Sequence, residues 1–319
     1  MLKAKSAFIK ICLLCFPFCL LGQKSYKIVQ THQQMGTQWK IILFHQDSLK
    51  GAQIIQTAFQ QLDYLNTIFS DYDLDSELSR LSAQAGKKEW IPVSEELYKV
   101  LATSKQYAKR SKGIFDPTIG PLSKLWRRAF RRQEFPDWQA IKAAQSNVDY
   151  KSIRVKTPNL VNLKKDAMRL DVGGIAKGWS VDYLADFLIK QRIKSFLIDG
   201  GGDIRVGEAP PERPSWKISL PDGTTQGFRN QAIATSGAQY RFLEKDGKRY
   251  SHIIHPKTGL GIDGSETITV IANTCTSADV SATIISVMTP RERRSFFKKE
   301  TTIHQLIIKK YEEKKLYQK

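Results

Sequence analysis

Cysteine is scarce in this 319-residue chain, and most of it lies near the N-terminus. Three of the four cysteines, Cys12, Cys15 and Cys19, fall within the first 22 residues, so only Cys275 follows that segment. A single thiol forms neither an internal disulfide nor a cysteine-ligated metal cluster. Both kinds of framework are therefore excluded for the rest of the chain.

Several common catalytic motifs are also absent beyond residue 22. The sequence there contains no GxSxG, HExxH, GxxxxGK[ST] or CxxC motif. These motifs mark serine hydrolases, zinc peptidases, P-loop nucleotide-binding proteins and thioredoxin-like proteins, respectively. None of these four classes is supported, so any catalytic site must be built in another way.

Acidic residues are absent from residues 1–22, which contain three lysines and an apolar stretch from about Ile11 to Leu21. This pattern predicts a secretory signal peptide over residues 1–22. The mixed order of strands and helices after it predicts a single domain over residues 23–319. An uncleaved N-terminal anchor stays an alternative, because Leu20 is large for the −3 position of a cleavage site. Lipidation of Cys19 is a second alternative. We expect export to the periplasm or to the outer face of the inner membrane.

Positive charge dominates the composition, with a formal net charge of +19. Such a balance favours anionic ligands or acidic partners. The densest basic run, Lys124 to Arg132, interleaves Trp126 and Phe130 with five cations, a pattern that suits nucleic acid or a membrane face. We favour the alternative of a solvated basic face over two buried aromatic side chains. An exported protein rarely meets nucleic acid, so we expect no nucleic-acid partner, while peripheral membrane association stays open.

Hydrophobic spacing predicts helices and strands without a regular βαβ repeat. Apolar residues follow helical spacing through residues 48–69, for example at Ile55, Phe59 and Leu62. Two further helices are predicted at about 94–111 and 278–288. Three others are also predicted: one starts at Ser76, one follows Gly173-Gly174, and one precedes a closing strand that ends at Lys310. Strands are predicted at 39–44, 152–163, 170–172, 195–198, 204–206, 216–220, 231–235, 239–244, 249–254 and 267–273, and an ordered loop at 113–121. The pattern favours an α+β fold with mixed, largely antiparallel sheets and packed helices.

Asp279 and Thr283 are the first candidates for chemistry. They are four residues apart near the start of a predicted helix, so their oxygens point from the same face. Mg²⁺ prefers oxygen ligands and commonly binds through one or two carboxylates together with ligand phosphates. The pair therefore suits a magnesium site, with helix capping by Asp279 as the alternative.

Two other segments carry groups that catalysis uses. The turn GGIAKG, Gly173 to Gly178, precedes a helix and suits a phosphate, although such glycines are often just a tight turn. His252 and His255 are three residues apart and are candidate general bases, because histidine titrates near neutrality. Either histidine could instead be an ordinary surface or core residue.

Taken in order, segments of the chain resemble the FAD:protein FMN transferase family (ApbE), from about Met35 to Met288. The similarity includes the MGT, ELSRL, FDPT, GGIAKG, ATSG and RYSHII strings. It covers Met35–Thr37, Ser70–Ser82, Phe115–Trp126, Asp171–Asp182, Asp199–Asp203, Ala234–Gly237, Gly247–Gly259 and Ala278–Thr283.

The resemblance implies Mg²⁺-dependent transfer of FMN from FAD to a Thr or Ser hydroxyl of an acceptor protein, with release of AMP. It implies metal ligation by the carbonyl of Gly174 and the side chains of Asp279 and Thr283, and general base catalysis by His252. The acceptor would be a membrane electron-transfer subunit or an FMN-binding domain. By position, FAD would contact Met35, Tyr72, Ile114, Phe115, Asp116, Asp171, Lys177 and Ile254.

The chain departs from the family pattern at a few places near the implied base and metal. His255 stands where the family usually has aspartate, Ala238-Gln239 replace a usual Gly-Asp, and Ala282 replaces an aspartate present in some members. Two other functions stay open. One is a pyrophosphatase that cleaves FAD to FMN and AMP with the same motifs, using water in place of a protein hydroxyl. The other is a non-catalytic flavin-binding protein, which the departures at His255 and Gln239 would favour.

Overall fold

A computed structural model describes residues 25–237 and 242–310. The predicted signal segment 1–22 and the departures Ala238 and Gln239 lie outside these ranges. A seven-stranded sheet runs through the centre in the order β1-β2-β6-β7-β10-β13-β14, and all neighbouring strands pair antiparallel. Its strands are β1 (Tyr26–Gln34), β2 (Thr37–His45), β6 (Phe196–Gly200), β7 (Ile204–Val206), β10 (Gln231–Gly237), β13 (Glu266–Ala272) and β14 (Ile303–Lys310).

Three small sheets complete the strand inventory of the described residues. Each is antiparallel. Their strands are β3 (Ile91–Pro92), β4 (Ile153–Lys156) and β5 (Leu160–Leu163) in one, β8 (Trp216–Ser219) and β9 (Thr225–Phe228) in the second, and β11 (Phe242–Lys245) and β12 (Lys248–Ser251) in the third.

Eight α-helices pack around these sheets in the described ranges. None of these helices is long and apolar enough to cross a membrane. The helices are α1 (Ser48–Phe69), α2 (Glu77–Ser82), α3 (Glu95–Arg110), α4 (Gly120–Arg132), α5 (Trp138–Gln145), α6 (Ala176–Lys190), α7 (Cys275–Val287) and α8 (Pro290–Lys299), with a short 3-10 helix at Tyr150–Ser152.

Alternation along β2 explains why the central sheet is covered on both faces. Trp39, Ile41 and Leu43 are fully buried against α1 and α6, whereas Ile42 and Phe44 point to the opposite face. That second face is covered by the β8–β9 hairpin, which contributes Trp216 and Phe228 among others. α6 and α7 contact each other and also pack on strands of the central sheet.

Most predicted elements are confirmed, including the helix over 48–69, which Asp47 caps, and the helix that Ser76 caps. The α+β class with largely antiparallel sheets is confirmed as well. Trp126 and Phe130 are buried, as the solvated-face interpretation predicts.

Some predicted boundaries are wrong. Residues 170–172 form no strand, because the backbone N–H of Leu170 donates to Ser82 Oγ and that of Asp171 donates to the Pro117 carbonyl. The predicted loop 113–121 ends early, since α4 begins at Gly120. Of the predicted strand 239–244, the structure describes only the part from residue 242 onwards. The prediction of one domain is not tested and stays a prediction.

Candidate active site

A cavity of about 340 Å³ opens between α4, α6, α7 and the loop that follows β12. It collects residues from six separate stretches of the chain. All the predicted site residues except Met35 line it, namely Tyr72, Ile114, Phe115, Asp116, Asp171, Gly174, Lys177, His252, Ile254, Asp279 and Thr283. Motifs that are far apart in the sequence therefore come together around one cavity.

Lys177 is one of the charged residues that line the cavity. Its ammonium group donates to Asp203 Oδ2, and both side chains are largely buried. Burial lowers the pKa of Lys177, but the carboxylates of Asp203 and Asp279 outweigh burial and raise it. The lysine therefore stays charged, which makes it a fixed cation for a phosphate group.

Asp279 is 7% exposed and lies in the second turn of α7. Burial, together with the nearby charge of Asp203, raises its pKa to about 7. Thr274 caps α7 by accepting from the backbone N–H of Ser277 at 3.2 Å, so the capping role considered for Asp279 is wrong. A buried carboxylate with a raised pKa in a cavity is typical of a functional group.

The first turn of α6 packs directly on α7 beside this carboxylate. The backbone N–H of Gly178 donates to Asp279 Oδ2 at 3.0 Å. A methyl group added at Gly174 would lie 3.4 Å from Thr283 Oγ1, so the glycine turn and the threonine hydroxyl are neighbours. No side chain caps the N-terminus of α6, where Gly173, Gly174 and Lys177 line the cavity.

The predicted metal ligands fit a hard cation in their chemistry. They offer a buried carboxylate, a hydroxyl and a backbone carbonyl, all oxygen donors of the kind that Mg²⁺ prefers. Within the described residues no group of three or more His, Cys, Asp or Glu side chains could hold a metal. A cation here would therefore take its remaining ligands from water and from substrate phosphate. Ala282, one of the departures, is buried in the core.

Asp116 has a structural task inside the cavity wall. Its Oδ1 accepts from the backbone N–H and the hydroxyl of Thr118, at 2.8 and 2.6 Å, and its Oδ2 accepts from the backbone N–H of Tyr150 at 3.0 Å. Both oxygens are therefore used in shaping the loop that carries Ile114 and Phe115.

Arg127 is a site residue that the sequence analysis missed. Its guanidinium donates to Asp71 Oδ2 and, at 3.1 Å, to Asp171 Oδ2, and it stacks over the Tyr72 ring at 4.1 Å from the centroid. Tyr72 itself is 73% exposed, at the mouth of the cavity. The arginine thus ties together two segments that are distant in the sequence. Its place in the basic run gave no signal for this role, since the neighbouring cations are similar.

His252 and His255 lie in the loop after β12 but in different environments. His252 is exposed and lines the cavity, where a base for an incoming hydroxyl is needed. His255 is half-buried, and its Nδ1 accepts from the backbone N–H of Lys257 at 3.1 Å. Burial, with Lys257 next, lowers the pKa of His255. His255 therefore shapes the loop as a neutral imidazole.

Met35 lies outside the residues that line the cavity. It occupies the turn between β1 and β2 with a left-handed backbone (φ +50°), and the hydroxyl of Ser180 lies 3.9 Å from its sulfur. Ser180 is on α6, three residues from Lys177. The predicted contact between Met35 and FAD stays a prediction.

Comparison with known proteins identifies the family. The ApbE family model matches residues 35–307. The chain belongs to the ApbE family. Among curated relatives, the FAD:protein FMN transferase of Treponema pallidum is 33% identical over 73% of this chain and 71% of that protein. The FAD:protein FMN transferase of Vibrio cholerae is 32% identical over 80% of this chain and 79% of that protein.

Solved ApbE structures share the fold. The flavin transferase ApbE from Vibrio cholerae superposes with a TM-score of 0.76 at 27% identity, covering 89% of this chain and 93% of that chain. The ApbE protein from Thermotoga maritima gives a TM-score of 0.78 at 26% identity, with 91% and 97% covered. The resemblance drawn from the sequence motifs is therefore confirmed, and so is the predicted fold class.

Proposed function

We propose that this ApbE-family chain transfers the FMN part of FAD to a Thr or Ser hydroxyl of an acceptor protein and releases AMP. The observation that carries the proposal is the Lys177 ammonium group, which lines the cavity and is kept charged by the carboxylates of Asp203 and Asp279. This arrangement presents one fixed cation, next to an uncapped helix N-terminus, to a dianionic pyrophosphate. The apolar side chains of Phe115 and Ile254, with Tyr72 at the mouth, supply surface for an aromatic ring system.

The reaction exchanges one oxygen–phosphorus bond for another. The acceptor oxygen forms a bond to the FMN phosphorus, and the bond from that phosphorus to the bridging oxygen breaks, so the electron pair leaves with AMP. His252 takes the proton from the acceptor hydroxyl, since a hydroxyl is a weak nucleophile at neutral pH. Lys177 binds the pyrophosphate and holds it for in-line attack.

The proposal includes Mg²⁺ at the oxygen ligands described above. Asp279, Thr283 and the Gly174 carbonyl would hold the ion, which would neutralise negative charge on the pyrophosphate. The backbone N–H of Gly178 fixes the orientation of the Asp279 carboxylate, so this ligand is positioned before any ion arrives.

The proposed setting is outside the cytoplasm. The lysines and apolar stretch of residues 1–22 support export to the periplasm or to the outer face of the inner membrane. The acceptor is proposed to be a membrane electron-transfer subunit or a small FMN-binding domain exposed on that side.

Titration of Mg²⁺ against AMP release from FAD tests the proposed site. We expect wild-type protein to release AMP only with Mg²⁺, and we expect Asp279→Ala to release essentially none. Asp186→Ala provides a matched control, because Asp186 is an exposed aspartate on α6 outside the cavity. Normal AMP release by Asp279→Ala would rule out the proposed metal site.

A further inference from the structure

A second cavity, of about 740 Å³, lies directly beside the first. Five exposed lysines line it, and we call this surface the lysine basin. They come from the end of α3, from α5, from the 3-10 helix and from the loop after β12. They are Lys109, Lys112, Lys142, Lys151 and Lys257.

The ammonium groups of the lysine basin are not neutralised by the chain itself. Across residues 25–237 and 242–310, none of the five forms an ion pair within 4.0 Å. Two carboxylates, those of Asp116 and Asp149, line the same wall and are outnumbered by the five lysines. Asp116 accepts from Thr118 and Tyr150, and Asp149 accepts from the backbone N–H of Lys151 and the hydroxyl of Ser152. The basin therefore presents a net positive surface that calls for an anionic partner.

One of these lysines is held in an unfavourable backbone conformation. Lys112 has φ +54° at the C-terminal end of α3, a region of backbone space that favours glycine, and Gly113 follows with φ +79°. A glycine at position 112 would be enough to end the helix and turn the chain. The side chain of Lys112 is the feature that glycine would not provide.

The lysine basin shares its wall with the first cavity, the proposed FAD site, which we call the flavin cavity. Asp116 and Pro256 line both. On one side of Pro256, His252 and Ile254 face the flavin cavity, and on the other side Lys257 faces the basin. A chain bound in the basin would therefore pass close to the proposed base.

We propose that the lysine basin binds an acidic segment of the acceptor protein and so delivers the acceptor hydroxyl to His252. This inference rests on the proposed flavin transfer. The five charges are spread over four elements, which suits several carboxylates along one chain better than a single phosphate, whose ligands converge.

Peptide binding to the FAD-free protein tests this proposal. Two synthetic peptides would carry a central threonine flanked by glutamates in one and by glutamines in the other. We expect the acidic peptide to bind about tenfold more tightly at low ionic strength, and this preference to disappear in about 0.5 M NaCl. Equal binding of the two peptides at low salt would overturn the proposal.

Charge reversal locates the binding surface. We expect Lys142→Glu/Lys257→Glu to lose the preference for the acidic peptide, and we expect Lys50→Glu/Lys217→Glu to keep it. The control makes the same change in charge at exposed lysines that line neither cavity. If melting shows that the reversal unfolds the chain, Lys142→Gln/Lys257→Gln replaces it. Retention of the preference in the folded basin variant would overturn the proposal.

Lipid binding is the competing use of the same charges. Vesicles of phosphatidylglycerol and phosphatidylcholine would be offered to the same variants. Lysine-dependent binding to these vesicles, without any preference for the acidic peptide, would overturn the proposal in favour of a membrane surface. The peptide assay needs no FAD and no turnover. A failure of peptide binding is therefore distinguishable from a failure of AMP release, which would concern the flavin transfer itself.

Discussion

The carboxylate of Asp279 accepts a 3.0 Å hydrogen bond from the backbone N–H of Gly178, which joins α7 to the first turn of α6. Asp279 is the proposed metal ligand, and Gly178 follows the phosphate-binding candidate Lys177. The spacing between the two helices therefore sets the distance between metal and lysine. Glycine is required at this contact, because a methyl group there would lie 2.5 Å from the Cys275 carbonyl and 2.6 Å from Asp279 Cβ.

We expect Gly178→Ala to separate the two helices and to reduce both stability and turnover. Overpacking of this kind typically costs about 1–3 kcal/mol. Gly51→Ala on α1 is the matched control, since its added methyl group would come closest to the flexible end of the Ile28 side chain, at 2.8 Å, and no nearer than 3.1 Å to His45 Cβ. Melting temperature and AMP release would be measured for both variants. Equal, small effects would show that the helix spacing does not control the site.

The raised pKa of Asp279 predicts a stability that depends on pH and on metal. Its folded pKa of about 7 exceeds the ordinary value of 3.8, so between these values the folded chain keeps a proton that the unfolded chain has lost. The resulting stabilisation is complete below the ordinary value and is lost as pH rises through about 7. We expect metal-free Asp279→Asn to melt roughly 2–5 °C above wild type at about pH 8, and to show a smaller difference at about pH 5.

Mg²⁺ is the control for that measurement. If the ion binds Asp279, it should raise the melting temperature of wild-type protein at about pH 8 and leave Asp279→Asn largely unchanged. The assignment would be contradicted if the melting temperatures of wild type and Asp279→Asn depended on pH to the same extent and Mg²⁺ did not change that of the wild type.

Much of the fold was predictable because strong periodicity survives packing. The apolar stripe of α1 is buried in the structure, as its helical spacing predicts. So are the inward positions of α6, Val181, Leu184 and Leu188. The edge strand β1 was missed because its sequence, YKIVQTHQQ, is polar and its side chains are largely exposed, so no apolar pattern marks it. Residues 170–172 were predicted as a strand because apolar content does not reveal where backbone hydrogen bonds go.

The motifs of the candidate site were predictable from the sequence, whereas the side-chain contacts that join them were not. The segments that line the cavity stand out as glycines, hydroxyls and carboxylates that packing does not require. The contacts of Arg127 with Asp71 and Asp171 span 56 and 44 residues, and no local pattern announces them. The bond between Lys177 and Asp203 likewise depends on how α6 returns to the sheet.

Arg127 should affect the binding of FAD in the cavity. We expect Arg127→Gln to raise the KM for FAD about tenfold, because it removes the cation stacked on Tyr72 and leaves Asp71 and Asp171 facing each other. Arg128→Gln provides the comparison, since Arg128 is exposed on the same helix and lines neither cavity. A similar KM for both variants would show that the arginine has no part in the site.

The two histidines should differ in what their loss changes. We expect His252→Ala to lower kcat for transfer about 100-fold with little change in FAD affinity, as loss of a general base does. His255→Asn should have a smaller effect, because His255 holds the loop through its bond with the Lys257 backbone. The rates would be followed with an acceptor protein in excess. A larger loss in His255→Asn would reverse the roles assigned here.

The ratio of protein-bound flavin to released AMP tests the central claim most directly. Wild-type protein would be incubated with FAD, Mg²⁺ and a recombinant FMN-binding domain that carries an acceptor threonine, and the products would be separated by mass spectrometry. Flavin transfer predicts one AMP for each FMN-sized addition to a Thr or Ser of the acceptor. AMP accompanied only by free FMN, with no labelled acceptor, would contradict the account and identify a pyrophosphatase.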